Sequence, residues 1–304
     1  MVNHFPPDRG LTARMLFTMF LIGLLYVVFI GVLIAAGVSY FLIVLISGGL
    51  LFAQYFFSDR IALASMRAHE VGAEQAPELH TMIERLCVLA DLPKPRIAVA
   101  DSPMPNAFAA GRNQKSSVVC VTTGLMKKLN EQELEGVLAH ELSHIAHRDV
   151  AVMTIASFLG MLAGLITRYG FYSGAYGGGY GRDNDNNSAG AMIMVVVLAS
   201  VVVYAVSFFL TRALSRYREL SADRSAATVT GRPSSLASAL VKVSGEMARI
   251  PQRDLRRAEP LNAFFFAPAL SKGFSLSSIF STHPSLERRL EQLSAMESNM
   301  GSGA

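Results

Sequence analysis

Residues 15–57 read MLFTMFLIGLLYVVFIGVLIAAGVSYFLIVLISGGLLFAQYFF, without one Asp, Glu, Lys or Arg. As a helix, these 43 residues would extend about 64 Å, roughly twice the thickness of bilayer hydrocarbon. One crossing cannot use that length and two can. A turn around Ala36, Gly37 and Ser39 therefore predicts a hairpin of two spans. The competing reading, a hairpin buried in a soluble protein, is disfavoured because uncharged runs beyond about 18 residues mark membrane helices.

The composition agrees. The chain has 304 residues, 51% of them hydrophobic and only 16% charged. Soluble domains carry about 25% charged residues. Mean hydropathy is +0.36. Disorder is excluded by the many apolar residues, and a disulfide scaffold by a cysteine content of Cys87 and Cys120 alone.

Two further apolar runs follow. Ala151–Thr167 ends at Arg168, and Ala189–Leu210 ends at Thr211 and Arg212. Between them, Tyr169–Ser188 is rich in Gly, Asn, Ser and Tyr, the composition of a flexible connector. The expected order is a polar lead (1–14), a first hairpin (15–57), a soluble block (58–150), a third span (151–168), the connector (169–188), a fourth span (189–210) and a soluble tail (211–304). Arg9, Arg14, Arg60 and Arg67 flank the first hairpin, whose outer turn carries no charge. The positive-inside rule then puts both termini and both soluble parts in the cytoplasm. The net charge of +4 fits this bias and does not call for nucleic acid.

The chemistry lies just before the third span, in Asn130-Glu131-Gln132-Glu133-Leu134-Glu135-Gly136-Val137-Leu138-Ala139-His140-Glu141-Leu142-Ser143-His144-Ile145-Ala146-His147. Asn130 and Glu133 have the spacing of a capping box. Leu134, Val137, Leu138, Leu142 and Ile145 recur at helical intervals. His140 and His144 therefore share one helix face, where two imidazoles can bind one metal ion. Glu141 stands about 100° further round, placed to act as a base.

A hydrolytic zinc site needs a third protein ligand and an open position for water. Glu219 is the candidate. It follows the fourth span at about the distance at which His140 and His144 precede the third. An antiparallel pair of helices would bring all three to one level. Asp223, one turn beyond Glu219, is a candidate to accept the second N–H of a ligand histidine. A surface carboxylate pairing with Arg216 or Arg224 is the alternative for Asp223. His147 reads as a polar residue near the helix end rather than a competing ligand.

These residues resemble a known family. His140-Glu141-Leu142-Ser143-His144-Ile145-Ala146-His147-Arg148-Asp149 and Ser215-Arg216-Tyr217-Arg218-Glu219-Leu220-Ser221-Ala222-Asp223 are similar to blocks of the HtpX-type membrane zinc metalloproteases. These are bacterial relatives of the CAAX prenyl-protein proteases. Asn106-Ala107-Phe108-Ala109, Thr123-Gly124-Leu125 and Thr282-His283-Pro284 match further blocks in the same order. Ser285 stands where a second proline is common, and the polar lead is longer than expected.

The resemblance implies a mainly α membrane protein. Four transmembrane helices in two hairpins would carry a cytoplasmic α+β zincin-like (gluzincin) domain with a small sheet. It implies one zinc ion per chain held by His140, His144 and Glu219, with Glu141 catalytic. It also implies the degradation of unfolded or damaged membrane proteins under stress, in the cytoplasmic membrane. The prenyl-protein proteases have more than four spans, which argues against prenyl-protein cleavage.

For amide hydrolysis, Arg218 and His283 are candidate donors to the tetrahedral oxyanion. Asn106 is a candidate to hold the substrate backbone, or a turn residue after Pro103 and Pro105. Arg96–Ala100 and Ser117–Thr122 read as strands, and a free sheet edge can bind an extended peptide. Carboxylates and arginines surround the histidines, so the motif is not expected inside a span. A zinc-binding membrane scaffold without hydrolysis is the competing function class. A transporter would need ionisable groups within its spans, and these are absent.

Overall fold

The computed structural model describes residues 9–37, 39–177, 186–247 and 283–302. The run Asn262–Phe266, which can be read as lying on the membrane or over the cleft, falls outside the described residues, as does the centre of the Gly-rich connector. The chain divides into two compact units. One comprises Phe57–Ala151, the described residues from Ser215 on, and residues 9–12. The other comprises Ala13–Phe56 and Val152–Leu214.

The second unit is helical. It contains most of α1 (Arg9–Ala35), α2 (Tyr40–Phe56), and parts of α7 (Asp149–Gly177) and α8 (Asn186–Thr230). Ile22, Phe29 and Leu33 of α1 pack with Ala156 and Ala163 of α7 and Val203 of α8. Small residues allow close approach: Gly164 of α7 lies against the Tyr204 ring of α8. Gln54 Nε2 donates to Ser157 Oγ at 3.4 Å. Many other apolar side chains of these helices are exposed, among them Phe17, Phe20, Val27, Val44 and Val202. Among the described residues, two helices are long and apolar enough to cross a membrane, Arg9–Ala35 and Met194–Thr230. Only 17% and 22% of their most apolar windows is buried, unlike the core helices of a soluble protein. Ile43–Phe56 and Ala156–Arg168 are shorter apolar helices.

The helices overrun the boundaries expected from composition. α7 continues through Gly177 and α8 begins at Asn186, both inside the stretch Tyr169–Ser188 expected as a connector. α8 also passes Leu210 without interruption and reaches Thr230 as one helix of 45 residues. No Pro or Gly stands between Gly190 and Gly231 to end it.

The first unit holds a four-stranded mixed sheet of order β1-β2-β4-β3, formed by β1 (Ala68–Glu70), β2 (Arg96–Ala100), β3 (Ala107–Ala110) and β4 (Val118–Thr122). β2 and β4 are parallel, in register from Arg96↔Val118 to Ala100↔Thr122. β1 is antiparallel to β2, and β3 is antiparallel to β4. β2 and β4 coincide with the expected strands. β1 and β3 are additional.

Both faces of the sheet are covered, which explains the unbroken burial of β4. Alternate residues face opposite ways. Val119 and Val121 join α4 (Pro77–Ala90), α6 (Glu131–Ala146), α9 (Pro233–Met247) and α10 (Leu286–Ser302) in the main core. Val118 and Cys120 join α3 (Ser58–Ser65) on the other side. α5 (Thr123–Lys128) follows β4 directly, with Thr122 as its cap.

Candidate metal centre

α6 starts as its sequence predicts. Asn130 Oδ1 accepts the Glu133 N–H at 2.9 Å, and Glu133 Oε2 accepts the Asn130 N–H at 3.0 Å. Lys242 and Ser238 of α9 also donate to Glu133. Val137, Leu138 and Leu142 are buried in the core, which turns His140, Glu141 and His144 as one set toward α8 and β3. The two imidazole rings lie 4.9 Å apart at 89°.

Glu219 faces them from α8. Its Oε2 is 3.5 Å from His140 Nε2, and its Oε1 is 3.4 Å from His144 Nε2. Ligand atoms of His140, His144 and Glu219 all lie within 4.8 Å of one another. The opposite nitrogen of each ring meets a carboxylate. His140 Nδ1 is 2.9 Å from Asp223 Oδ1, and His144 Nδ1 is 2.8 Å from Asp149 Oδ2. An Nδ1–H donated to a carboxylate leaves Nε2 with its lone pair pointing inward, as a metal-binding imidazole requires.

Each of those carboxylates is held in turn by a buried arginine. Arg289 of α10 donates to Asp223 through Nε at 2.7 Å and Nη2 at 2.6 Å. Arg218 Nε is 3.1 Å from Asp149 Oδ2. His283 Nδ1 lies 3.0 Å from Glu219 Oε2. The sequence shows no clear signal for Asp149 or Arg289. Asp149 stands in the loop-like end of a motif, and Arg289 sits among charges in what reads as a surface helix.

The electrostatics suit a cation. Glu141, Asp149, Glu219 and Asp223 are buried together, and among the described residues Arg218 and Arg289 are the permanent cations buried with them. With both imidazoles neutral, as metal binding requires, the ionised carboxylates exceed these arginines by two charges. Such an excess is costly in a low-dielectric interior unless a cation balances it. Burial pushes the Glu141 carboxyl up from its usual value. Burial also acts to raise Glu219, but His283 and hydrogen bonds to the histidines hold it well below the usual range. Burial acts to lower the pKa of His140, yet its bonds to Asp223 and Glu219 raise it overall. The donor set, its orientation and its charge all fit a divalent ion.

The remaining candidates fall close by. The Ala109 N–H of β3 bonds to the Glu141 carboxylate. An amide donating there cannot donate to β4, so Ala109 faces the outer edge of β3. Asn106 is buried just before β3. Its N–H donates to Thr122 Oγ1 at 2.8 Å and its C=O accepts the Thr122 N–H at 2.9 Å. Arg218, read as an oxyanion donor, is turned toward Asp149 and His144.

Comparison with known proteins adds a second line of observation. The profile of peptidase family M48 matches residues 73–297. Protease HtpX homolog 1 of Streptomyces coelicolor is 56% identical over 301 residues, covering 99% of this chain and 97% of the relative. Protease HtpX homolog of Moorella thermoacetica is 58% identical over 294 residues, 96% of each chain. Protease HtpX homolog of Pyrococcus furiosus is 39% identical over 250 residues, 82% of this chain and 84% of the relative. Among solved structures, S. mikatae Ste24p shares the fold with a TM-score of 0.54 at 17% identity. That match covers 94% of this chain and 67% of that one.

Proposed function

We propose, from the premise that the chain belongs to peptidase family M48 and is a membrane metalloprotease, that it is a zinc endopeptidase with one ion held by His140, His144 and Glu219. The observation that carries this reading is the convergence of those three side chains within 4.8 Å, each histidine backed by a carboxylate. Two imidazoles and one carboxylate with an open fourth position form a hydrolytic zinc set.

When bound, the ion supplies Lewis-acid polarisation of the scissile carbonyl and lowers the pKa of water toward about 7. Glu141 takes the water proton and later delivers it to the leaving amine. Its buried carboxyl and its raised pKa suit a group that must both accept and return a proton. His283 at Glu219 is the better placed of the two oxyanion-donor candidates, since Arg218 is committed to Asp149. Asp223 keeps His140 in the Nδ1–H form. Asn106 sets the position of β3 through its paired backbone bonds to Thr122. The outer edge of β3 carries the substrate as an added strand, running past Glu141.

The anchor is read as four spans in two hairpins, 15–57 and 151–210, with a gluzincin-type catalytic part made from 58–150 and 211–304. The excess of Lys and Arg near the span ends supports a cytoplasmic active site in a multi-pass protein of the cell membrane. The substrates are unfolded or damaged membrane proteins, as the resemblance to HtpX-type proteases implies. The test is cleavage of an unfolded membrane protein by the purified chain. Chelation should abolish it and zinc should restore it. Cleavage that persists in chelator would end the reading.

A further inference from the structure

α10 ends the described chain and has one apolar stripe, with Leu286, Leu293 and Met296 packed on the core and Leu293 fully buried. Arg289 lies on this same stripe, three residues after Leu286 and four before Leu293, and is 1% exposed. A buried arginine on the apolar side of a helix needs a partner. Arg289 grips Asp223 with two nitrogens at 2.7 and 2.6 Å, and its Nη1 lies 3.9 Å from Glu219 Oε2. Asp223 is the carboxylate behind His140. The same segment brings His283 to Glu219, and Gln292 Nε2 donates to the Leu220 carbonyl at 2.7 Å. Over ten residues, the end of the chain touches the ligand-bearing turn of α8 at three points.

We propose that Arg289 is a positioning residue for the metal site, and that the docking of α10 and the binding of metal stabilise each other. This rests on the zinc reading above. The planar guanidinium fixes the plane of Asp223, which fixes the His140 ring. Coupling is reciprocal: whatever the docked helix adds to metal affinity, bound metal adds to docking. An ion holding His140 and Glu219 in place presents α10 with its docking surface already formed.

The experiment uses the full chain in detergent, carrying Glu141→Gln to stop self-cleavage. Zinc affinity is measured by chelator competition, and amide hydrogen exchange with and without zinc. Zinc should slow exchange across 286–302 at least tenfold more than across 77–90, a helix of the same unit that carries no ligand. Arg289→Lys keeps the charge but lacks the fork, and should weaken zinc about 10- to 100-fold. Gln292→Ala touches neither a ligand nor its carboxylate, and should weaken zinc severalfold at unchanged helicity. If Arg289→Lys does not fold, the exchange data and Gln292→Ala decide. Equal exchange of 286–302 with and without bound zinc would overturn the coupling while leaving the zinc site intact. So would unchanged zinc affinity in the folded variants. Failure of the chain to bind zinc in a His140-dependent way would instead remove the reading on which it rests.

Discussion

His144 and Asp149 are five residues apart in the chain, and their side chains meet Nδ1 to Oδ2 at 2.8 Å. The contact depends on the local turn at His147 and Arg148 that ends α6. His147 N–H bonds back to Ser143 O and Arg148 N–H to Ile145 O. Arg148 then takes a left-handed conformation, φ 57°, uncommon for a side chain that is not Gly, Asn or Asp. That residue turns Asp149 back onto the end of the helix it has just left. Asp149→Asn should therefore weaken zinc about 10- to 100-fold, because the ring behind the ligand nitrogen loses its anionic partner. Asp149→Ala should also cost stability, about 3–5 kcal/mol, by leaving Arg218 as an uncompensated buried charge. Chelator competition and thermal melting check the two effects. Unchanged zinc affinity in Asp149→Asn would contradict the assigned role.

Glu133 ties the start of α6 to α9 and makes stability depend on pH. Burial acts to raise its pKa, but hydrogen bonds from Lys242, Ser238 and the Asn130 N–H outweigh this and hold it below the ordinary 4.5. A carboxyl depressed in the folded state stabilises at pH above its ordinary value, and that contribution is lost as pH falls through the folded value. Glu133→Gln should thus melt earlier than the parent near neutral pH, by about 1 kcal/mol of capping and pairing. Lys242 is partly exposed, so the ion pair itself adds little. The gap between the two proteins should close as pH falls below the ordinary carboxyl value and through the lowered one. A gap independent of pH would show that the ionised carboxylate is not responsible.

Two glycines separate tight packing from forbidden packing. A Cβ on Gly124 would lie 2.2 Å from the Pro103 carbonyl oxygen, against backbone that cannot swing away. Gly124→Ala should destabilise the first unit by about 1–3 kcal/mol or more. It should also disturb the Pro103–Asn106 turn that leads into β3. A Cβ on Gly136 meets Leu236 at 3.3 Å, so the α6–α9 contact must give by only tenths of an ångström. Ala is about 1 kcal/mol better than Gly within a helix, which offsets much of that cost. Thermal denaturation should rank Gly124→Ala well below Gly136→Ala. The reverse order would contradict the packing described.

The parts of this molecule legible from sequence are those set by local rules. The capping box of Asn130 and Glu133, the shared face of His140 and His144, and the one-turn spacing of Glu219 and Asp223 follow from helical periodicity. β2 and β4 are rich in Val and Ile and read directly as strands. β3 is Ala-Phe-Ala-Ala, without a β-branched residue, and its strand geometry comes from pairing with β4 and the bonds between Asn106 and Thr122. The Asp149 contact needs a left-handed arginine that no propensity favours. Arg289 is invisible for a different reason. In Leu286-Glu287-Arg288-Arg289 one arginine faces solvent and the next is buried, and only the tertiary position of Asp223 tells them apart. The ends of α7 and α8 overrun the expected breaks because nothing in their sequence compels a stop.

The central claim is that His140, His144 and Glu219 share one zinc ion while Glu141 does chemistry and not binding. The most direct measurement is metal analysis of purified Glu141→Gln beside His140→Ala, His144→Ala and Glu219→Ala, with cleavage of an unfolded membrane protein assayed on each. The account predicts one zinc per chain and no cleavage for Glu141→Gln, and loss of both zinc and cleavage for the other three. Full zinc occupancy after removal of Glu219 or either histidine, or undiminished cleavage by Glu141→Gln, would contradict it.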